Sequence, residues 1–224
     1  MKAKGMAGMT GVGPGNAGSQ DKPLFGQRIV VTRAREQAAP FAMQLSSRGA
    51  EVLEVPVIRI APPDDHRTLV EVLTSLGEYD WLVFTSANGV TAFFGYFFKA
   101  FEDIRDVGAV RIAAVGPGTA ALLRELHLKV DVMPKEALSR QVAAALAAYQ
   151  SIENLKILLL RAQQANADLP QALEALGAIV DDVACYKTLP ETEDRNGDGR
   201  RLREGGADWI TFTSGSTHVR DGAA

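Results

Sequence analysis

The sequence predicts an α/β protein built on parallel sheets. Two observations carry that reading. From Gln27 onward, short apolar and β-branched runs alternate with amphipathic stretches, the pattern of strand–helix–strand units. The pattern then recurs at a fixed offset of 128 residues.

The elements follow in order. Arg28–Val31 reads as a strand and Gln37–Arg48 as a helix, closed by Gly49 where a helix end favours glycine. Glu51–Val57 is a second strand, and the chain stays extended to Pro62-Pro63. Arg67–Leu76 is helical, Trp81–Phe84 a buried strand and Val90–Phe101 a helix. Arg111–Val115 is a strand, Ala120–Leu126 a helix, Lys129–Val132 a strand and Ser139–Ala148 a helix. Lys156–Leu160, Leu169–Leu176 and Ile179–Tyr186 repeat strand, helix, strand. A polar connection runs from Glu191 to Gly206, and Asp208–Phe212 is a last strand. Residues 1–25 are rich in Gly, Ala and Ser without periodicity and read as a disordered tail.

The repeat aligns Arg33-Ala34 with Arg161-Ala162, Gly49-Ala50 with Gly177-Ala178, and Asp80-Trp81 with Asp208-Trp209. Ten of thirty-six positions over Gln27–Pro62 are identical to their counterparts without a gap. Shared rare pairs such as Asp-Trp favour a duplication over two units that merely obey the same packing rules. A complete second copy would continue about 52 residues beyond Ala224, and the segment after Thr217 lacks an apolar face. The expectation is a truncated second copy.

Composition excludes several classes. No apolar run reaches the ~18–20 residues of a membrane helix. One cysteine, Cys185, rules out an internal disulfide or thiolate cluster, and His66, His127 and His218 lack metal-ligand spacing. The net charge of −3 and the lack of a basic patch argue against nucleic acid.

Three loops link strands to helices: Thr85-Ser86-Ala87-Asn88-Gly89, Gly116-Pro117-Gly118-Thr119 and Thr213-Ser214-Gly215-Ser216-Thr217. Such loops lie at the carboxyl ends of strands, where backbone N–H groups and helix N-termini hold anions without lysines. They also serve simply as caps and turns. None fits a dinucleotide fingerprint. Arg33 and Arg161 end equivalent strands, where each either pairs a carboxylate or is simply a surface charge, and Thr32 stands beside the first. Tyr186 is either a general acid or a packed phenol. Asp80 and Asp208 read as turn residues, and Cys185, alternating with Tyr186, as core.

The ordered set Thr32-Arg33, Phe84–Val90, Ala114–Thr119, Tyr186-Lys187-Thr188 and Phe212–Ser216 resembles the uroporphyrinogen-III synthase family over about Gly26–Thr217. The resemblance implies two flavodoxin-like α/β domains, each with a five-stranded parallel sheet of order 2-1-3-4-5, joined by a two-strand linker. The first would take 26–57 and 189–224 and be incomplete; the second would take 61–184. The implied reaction is cofactor-free and metal-free cyclisation of hydroxymethylbilane with inversion of ring D, in a cytoplasmic monomer that binds neither membrane nor nucleic acid. It implies Tyr186 and Thr119 as catalytic residues. Thr32, Arg33, Ser86, Ala87, Asn88, Gly116, Pro117, Gly118, Arg161, Ser214, Gly215 and Ser216 would bind substrate. The competing readings are a non-catalytic two-lobed protein that binds a carboxylated ligand, or an inactive fragment.

Overall fold

A computed structural model describes residues 22–212. The expected tail, apart from 22–25, and the loop of Ser214, Gly215 and Ser216 lie outside the described residues. The chain divides into two compact units at Arg59/Ile60 and at Leu189/Pro190. Among the described residues, the first holds the segments on either side of the second.

The first unit contains β1 (Arg28–Val31), α1 (Arg35–Ser47) and β2 (Glu51–Glu54). The chain leaves it through β3 (Ile58–Ala61). The second unit continues with α2 (Arg67–Thr74), β4 (Trp81–Phe84), α3 (Ala87–Ala100), β5 (Arg111–Ala114), α4 (Pro117–Glu125) and α5 (Ser139–Tyr149). It closes with β6 (Lys156–Ala162), α6 (Asp168–Glu174) and β7 (Ile179–Pro190). The chain then returns to the first unit as α7 (Asp198–Gly205) and β8 (Trp209–Thr211).

The strands form two sheets, β2-β1-β8 and β3-β7-β6-β4-β5. The pairs of β1 with β2 and β8, of β4 with β5 and β6, and of β6 with β7 are all parallel. The fold is therefore α/β with parallel sheets, as the alternation predicts.

The repeat reappears in the hydrogen-bond register. Arg28 faces Glu51, and 128 residues on Lys156 faces Ile179. Ile29 faces Trp209, and its counterpart Ile157 faces Trp81. The order β2-β1-β8 thus matches β7-β6-β4 residue for residue, and each unit draws strands from both copies. Gly49 and Gly177 occupy equivalent positions after α1 and α6, with φ of 96° and 85°, conformations that only glycine adopts without strain.

Alternation along the central strands separates two cores in the second unit. Leu82, Phe84, Leu158 and Leu160 pack with α2, α3 and α4 on one face. Trp81, Val83, Ile157 and Leu159 pack with α5 and α6 on the other. This is a three-layer unit with its sheet buried on both faces, which is why those strands read as continuous apolar runs. Helix α3 shows how sequence fixes a layer. Ser86 caps it by accepting the Gly89 N–H at 3.1 Å. Val90, Phe93, Phe94 and Phe97 then fall on one face at helical spacing, all buried. Each buried phenylalanine contributes roughly 1.5–3 kcal/mol.

Three expectations need correction. The second sheet's four parallel strands, numbered 1 to 4 from β4, run 2-1-3-4 from β5 to β7, in keeping with the expected order, but the segment expected as strand Lys129–Val132 adds only a bridge from Val132 to Ala113 on the outer side of β5. The reason is polarity: β6 is buried on both faces and takes the place beside β4, while the charged Lys129–Asp131 segment stays at an edge. The polar connection contains a helix, α7, with almost no apolar face. It is anchored by side chains instead: Asp194 accepts the N–H groups of Gly199 and Arg200, and Asp198 accepts that of Glu54. Finally, Asp80 and Asp208 are more than turn residues. Asp80 accepts the Lys156 N–H at 2.9 Å and Asp208 accepts the Arg28 N–H at 2.7 Å, so each ties its own strand to the start of the neighbouring one.

Candidate functional site

The carboxyl ends of β4, β5 and β6 and the last turns of β7 gather most of the chemistry-bearing residues of the second unit. A cavity of about 240 Å³ there is lined by Thr85, Val115, Arg161 and Asn166, among others. Neither Ser86 nor Tyr186 lines it.

Tyr186 is 7% exposed, and its hydroxyl oxygen lies 3.0 Å from Ser86 Oγ. The contact depends on an irregularity in β7. The ladder pairs Arg161 with Ala184 and then Ala162 with Tyr186, leaving Cys185 unopposed. This one-residue bulge puts the consecutive residues Cys185 and Tyr186 on the same face, both in the core that holds Phe84 and Leu160. The expected alternation of the two is thereby overturned. Cys185 is core, and burial pushes its thiol up to about 12.

The α3 entry also requires Gly89. A Cβ there would stand 3.0 Å from the Leu160 carbonyl oxygen. Ala87 and Asn88 form the first turn of the same helix. Gly116 caps α4 with φ 90°, and Pro117 occupies the first turn, where its missing N–H costs nothing. A Cβ on Gly116 or Gly118 would meet nothing within 4 Å, so the space beside this loop is open.

Three expected site residues are otherwise engaged. Arg161 is 6% exposed; its Nε donates to Asp182 at 2.6 Å, a second nitrogen pairs with the other Asp182 oxygen, and the third donates to the Asn166 carbonyl. Its fork is closed on the protein. Thr119 is buried and donates to the Val115 carbonyl at 3.0 Å, the back-bond of a helical threonine. Thr32 is buried and donates to the Thr211 carbonyl at 2.6 Å, clamping β1 to β8.

Arg33 differs from its counterpart Arg161. Its buried Nε has no hydrogen-bond partner among the described residues, and its guanidinium lies 5.4 Å from the Phe41 ring centroid. The offset places Glu54 where Arg161 has Asp182, yet Glu54 does not pair with Arg33 in any described contact. Sequence reasoning missed Asp182 and the group Asp64, Gln163 and Lys187. The signal for the first was present: Asp181-Asp182 interrupts an apolar strand.

Two parallel-sheet units that share the strands of one repeated sequence define a duplicated α/β protein. The uroporphyrinogen-III synthase HemD family matches residues 39–220, and the chain belongs to that family. It is 32% identical over 198 residues to a uroporphyrinogen-III synthase of Synechococcus elongatus, covering 88% of this chain and 74% of that protein. It is 34% identical over 196 residues to a porphyrin biosynthesis protein HemD of Ruminiclostridium josui, covering 88% of this chain but only 39% of the relative. Among solved structures, a mutant uroporphyrinogen III synthase from Thermus thermophilus superposes with a TM-score of 0.58 at 20% identity, over 85% of this chain and 74% of that one. A uroporphyrinogen-III synthetase from Helicobacter pylori gives 0.51 at 15% identity, over 86% and 75%. These two likenesses show the fold.

Proposed function

We propose that the chain is a uroporphyrinogen-III synthase: a lyase that closes hydroxymethylbilane to uroporphyrinogen III with loss of water and inversion of ring D. The observation that carries the reading is the Tyr186–Ser86 contact at the entry of α3. The ring-A hydroxyl must leave as water, which needs a proton, and a positioned weak acid supplies it. Ser86 Oγ accepts the Gly89 N–H, and in this reading its own proton is donated to the Tyr186 oxygen 3.0 Å away. The chain Gly89 N–H to Ser86 O–H to Tyr186 O–H then leaves the phenol proton to be given up and stabilises the phenolate left behind. The partial positive charge of the helix N-terminus acts in the same sense.

Loss of water leaves an azafulvene. Ring D attacks it through its substituted α-carbon to give a spiro intermediate, which fragments and recloses with the ring inverted. These steps call for positioning rather than further acid chemistry. Arg33 is the carboxylate anchor in this reading, supported by its unpaired Nε. The Gly116-Pro117-Gly118 loop offers backbone N–H groups and open space to a second carboxylate. Ala87 and Asn88, in the first turn of α3, and Ser214, Gly215 and Ser216 belong to the substrate-binding set of the same proposal. The finer assignments, a cytoplasmic monomer without metal or cofactor, belong to the same proposal.

The test is single-turnover kinetics on the full chain with hydroxymethylbilane. Tyr186→Phe should lower the rate of type III formation about 100-fold while the substrate still protects the protein against heat. A variant as fast as the parent would remove Tyr186 from the chemistry. Protection without any type III product from the parent chain would favour a binding protein.

A further inference from the structure

We infer that Gln163 and Asp64 are positioning residues for Tyr186, holding the β7 bulge in the register that aims its hydroxyl at Ser86. The inference deepens the reading of Tyr186 as the acid and rests on it.

A bulge is a choice between registers. If β7 slipped by one residue to remove it, Ala162 would face Cys185, and Tyr186 would turn to the opposite face of the sheet. The bulge therefore has to be fixed immediately beyond Ala162, and the structure fixes it there several times. The Gln163 N–H donates to the Tyr186 carbonyl at 2.8 Å. The Gln163 side chain closes on Asp64 with both of its ends: Oε1 accepts the Asp64 N–H at 2.8 Å and Nε2 donates to the Asp64 carboxylate at 2.5 Å. The other Asp64 oxygen accepts from Lys187 Nζ, on the residue that follows Tyr186. Gln164 Oε1 then accepts the Thr188 N–H at 3.3 Å. Tyr186 is thus held through its own carbonyl, through its neighbour's side chain and through the amide two residues on.

Stability alone does not account for this arrangement. The Asp64 side chain is 66% exposed, and an ion pair so open to water contributes little to folding. What the group adds is direction. The side chains of Asp64, Gln163 and Lys187 are ordered to define the path of the chain through Tyr186.

The experiment combines kinetics with a spectroscopic readout on the full chain. Asp64→Asn and Gln163→Leu should each lower kcat for type III formation about ten-fold, with KM within about two-fold. In the Tyr186→Phe background the same substitutions should have no further effect, because they act through the phenol. The chain has four tyrosines. In fluorotyrosine-labelled protein the resonance that Tyr186→Phe removes should shift in Asp64→Asn, while the other three stay in place. Multiplicative rate losses or an unmoved Tyr186 resonance would overturn the inference. If Tyr186→Phe is fully active but Asp64→Asn still moves its resonance, the positioning stands and the acid role falls.

Discussion

Ser86 and Tyr186 are one hundred residues apart in the chain, and their hydroxyl oxygens lie 3.0 Å apart. One comes from the loop after β4 and the other from a bulged strand two places away in the sheet. The contact follows from the cap that fixes Ser86 and the bulge that turns Tyr186. Ser86→Ala should therefore cost on two scales. Loss of the cap destabilises the fold by about 1 kcal/mol in urea denaturation. Loss of the bond to Tyr186 lowers the rate of type III formation by more than a change of that size in stability accounts for.

The two equivalent arginines should behave differently. Arg161→Met leaves Asp182 without its partner and should lower stability by about 2–3 kcal/mol, less than for a fully buried pair because the Asp182 side chain is 38% exposed. Arg33→Met breaks no described ion pair and should leave the unfolding midpoint nearly unchanged. Its effect should be a KM for hydroxymethylbilane raised about ten-fold. The two denaturation curves and the two KM values decide the assignment.

Asp80→Ala removes the acceptor of the Lys156 N–H in a part-buried setting and should cost about 1–3 kcal/mol. Asp208→Ala makes the same break at an exposed position and should cost less, because water replaces the lost acceptor. Equal losses would mean that exposure does not set the penalty.

The Cys185 thiol is held near 12 by burial, against an ordinary value of 9.0. The folded state thus binds this proton more tightly than the unfolded state. The stability it contributes is complete below about pH 9 and is lost as the pH rises towards 12. At pH 8 the native thiol should resist iodoacetamide, and alkylation should follow the unfolding curve in urea. Prompt alkylation of the folded chain would contradict the burial.

Much of this was legible in the sequence because duplication writes the same packing rules twice. The Asp-Trp pairs and the glycines after α1 and α6 predicted equivalent strands, and the shared register is the structural form of that signal. The helix α7 was not legible because Leu202 is its one large apolar residue, and its anchors are carboxylates from neighbouring segments. The difference between Arg33 and Arg161 was hidden for a similar reason. The two look alike along the chain, and only the register of β6 against β7 brings Asp182 to the second. The bulge at Cys185 was invisible, since an unopposed residue leaves no mark on composition. It is also the feature that decides where Tyr186 points.

The most direct test of the account is the isomer ratio of the porphyrin formed from hydroxymethylbilane by the purified chain. Closure without an enzyme gives the uninverted type I ring. The account predicts type III in clear excess over the enzyme-free control, falling to the control level in Tyr186→Phe. Type I product alone, from a chain shown to be folded and to bind the substrate, would contradict it.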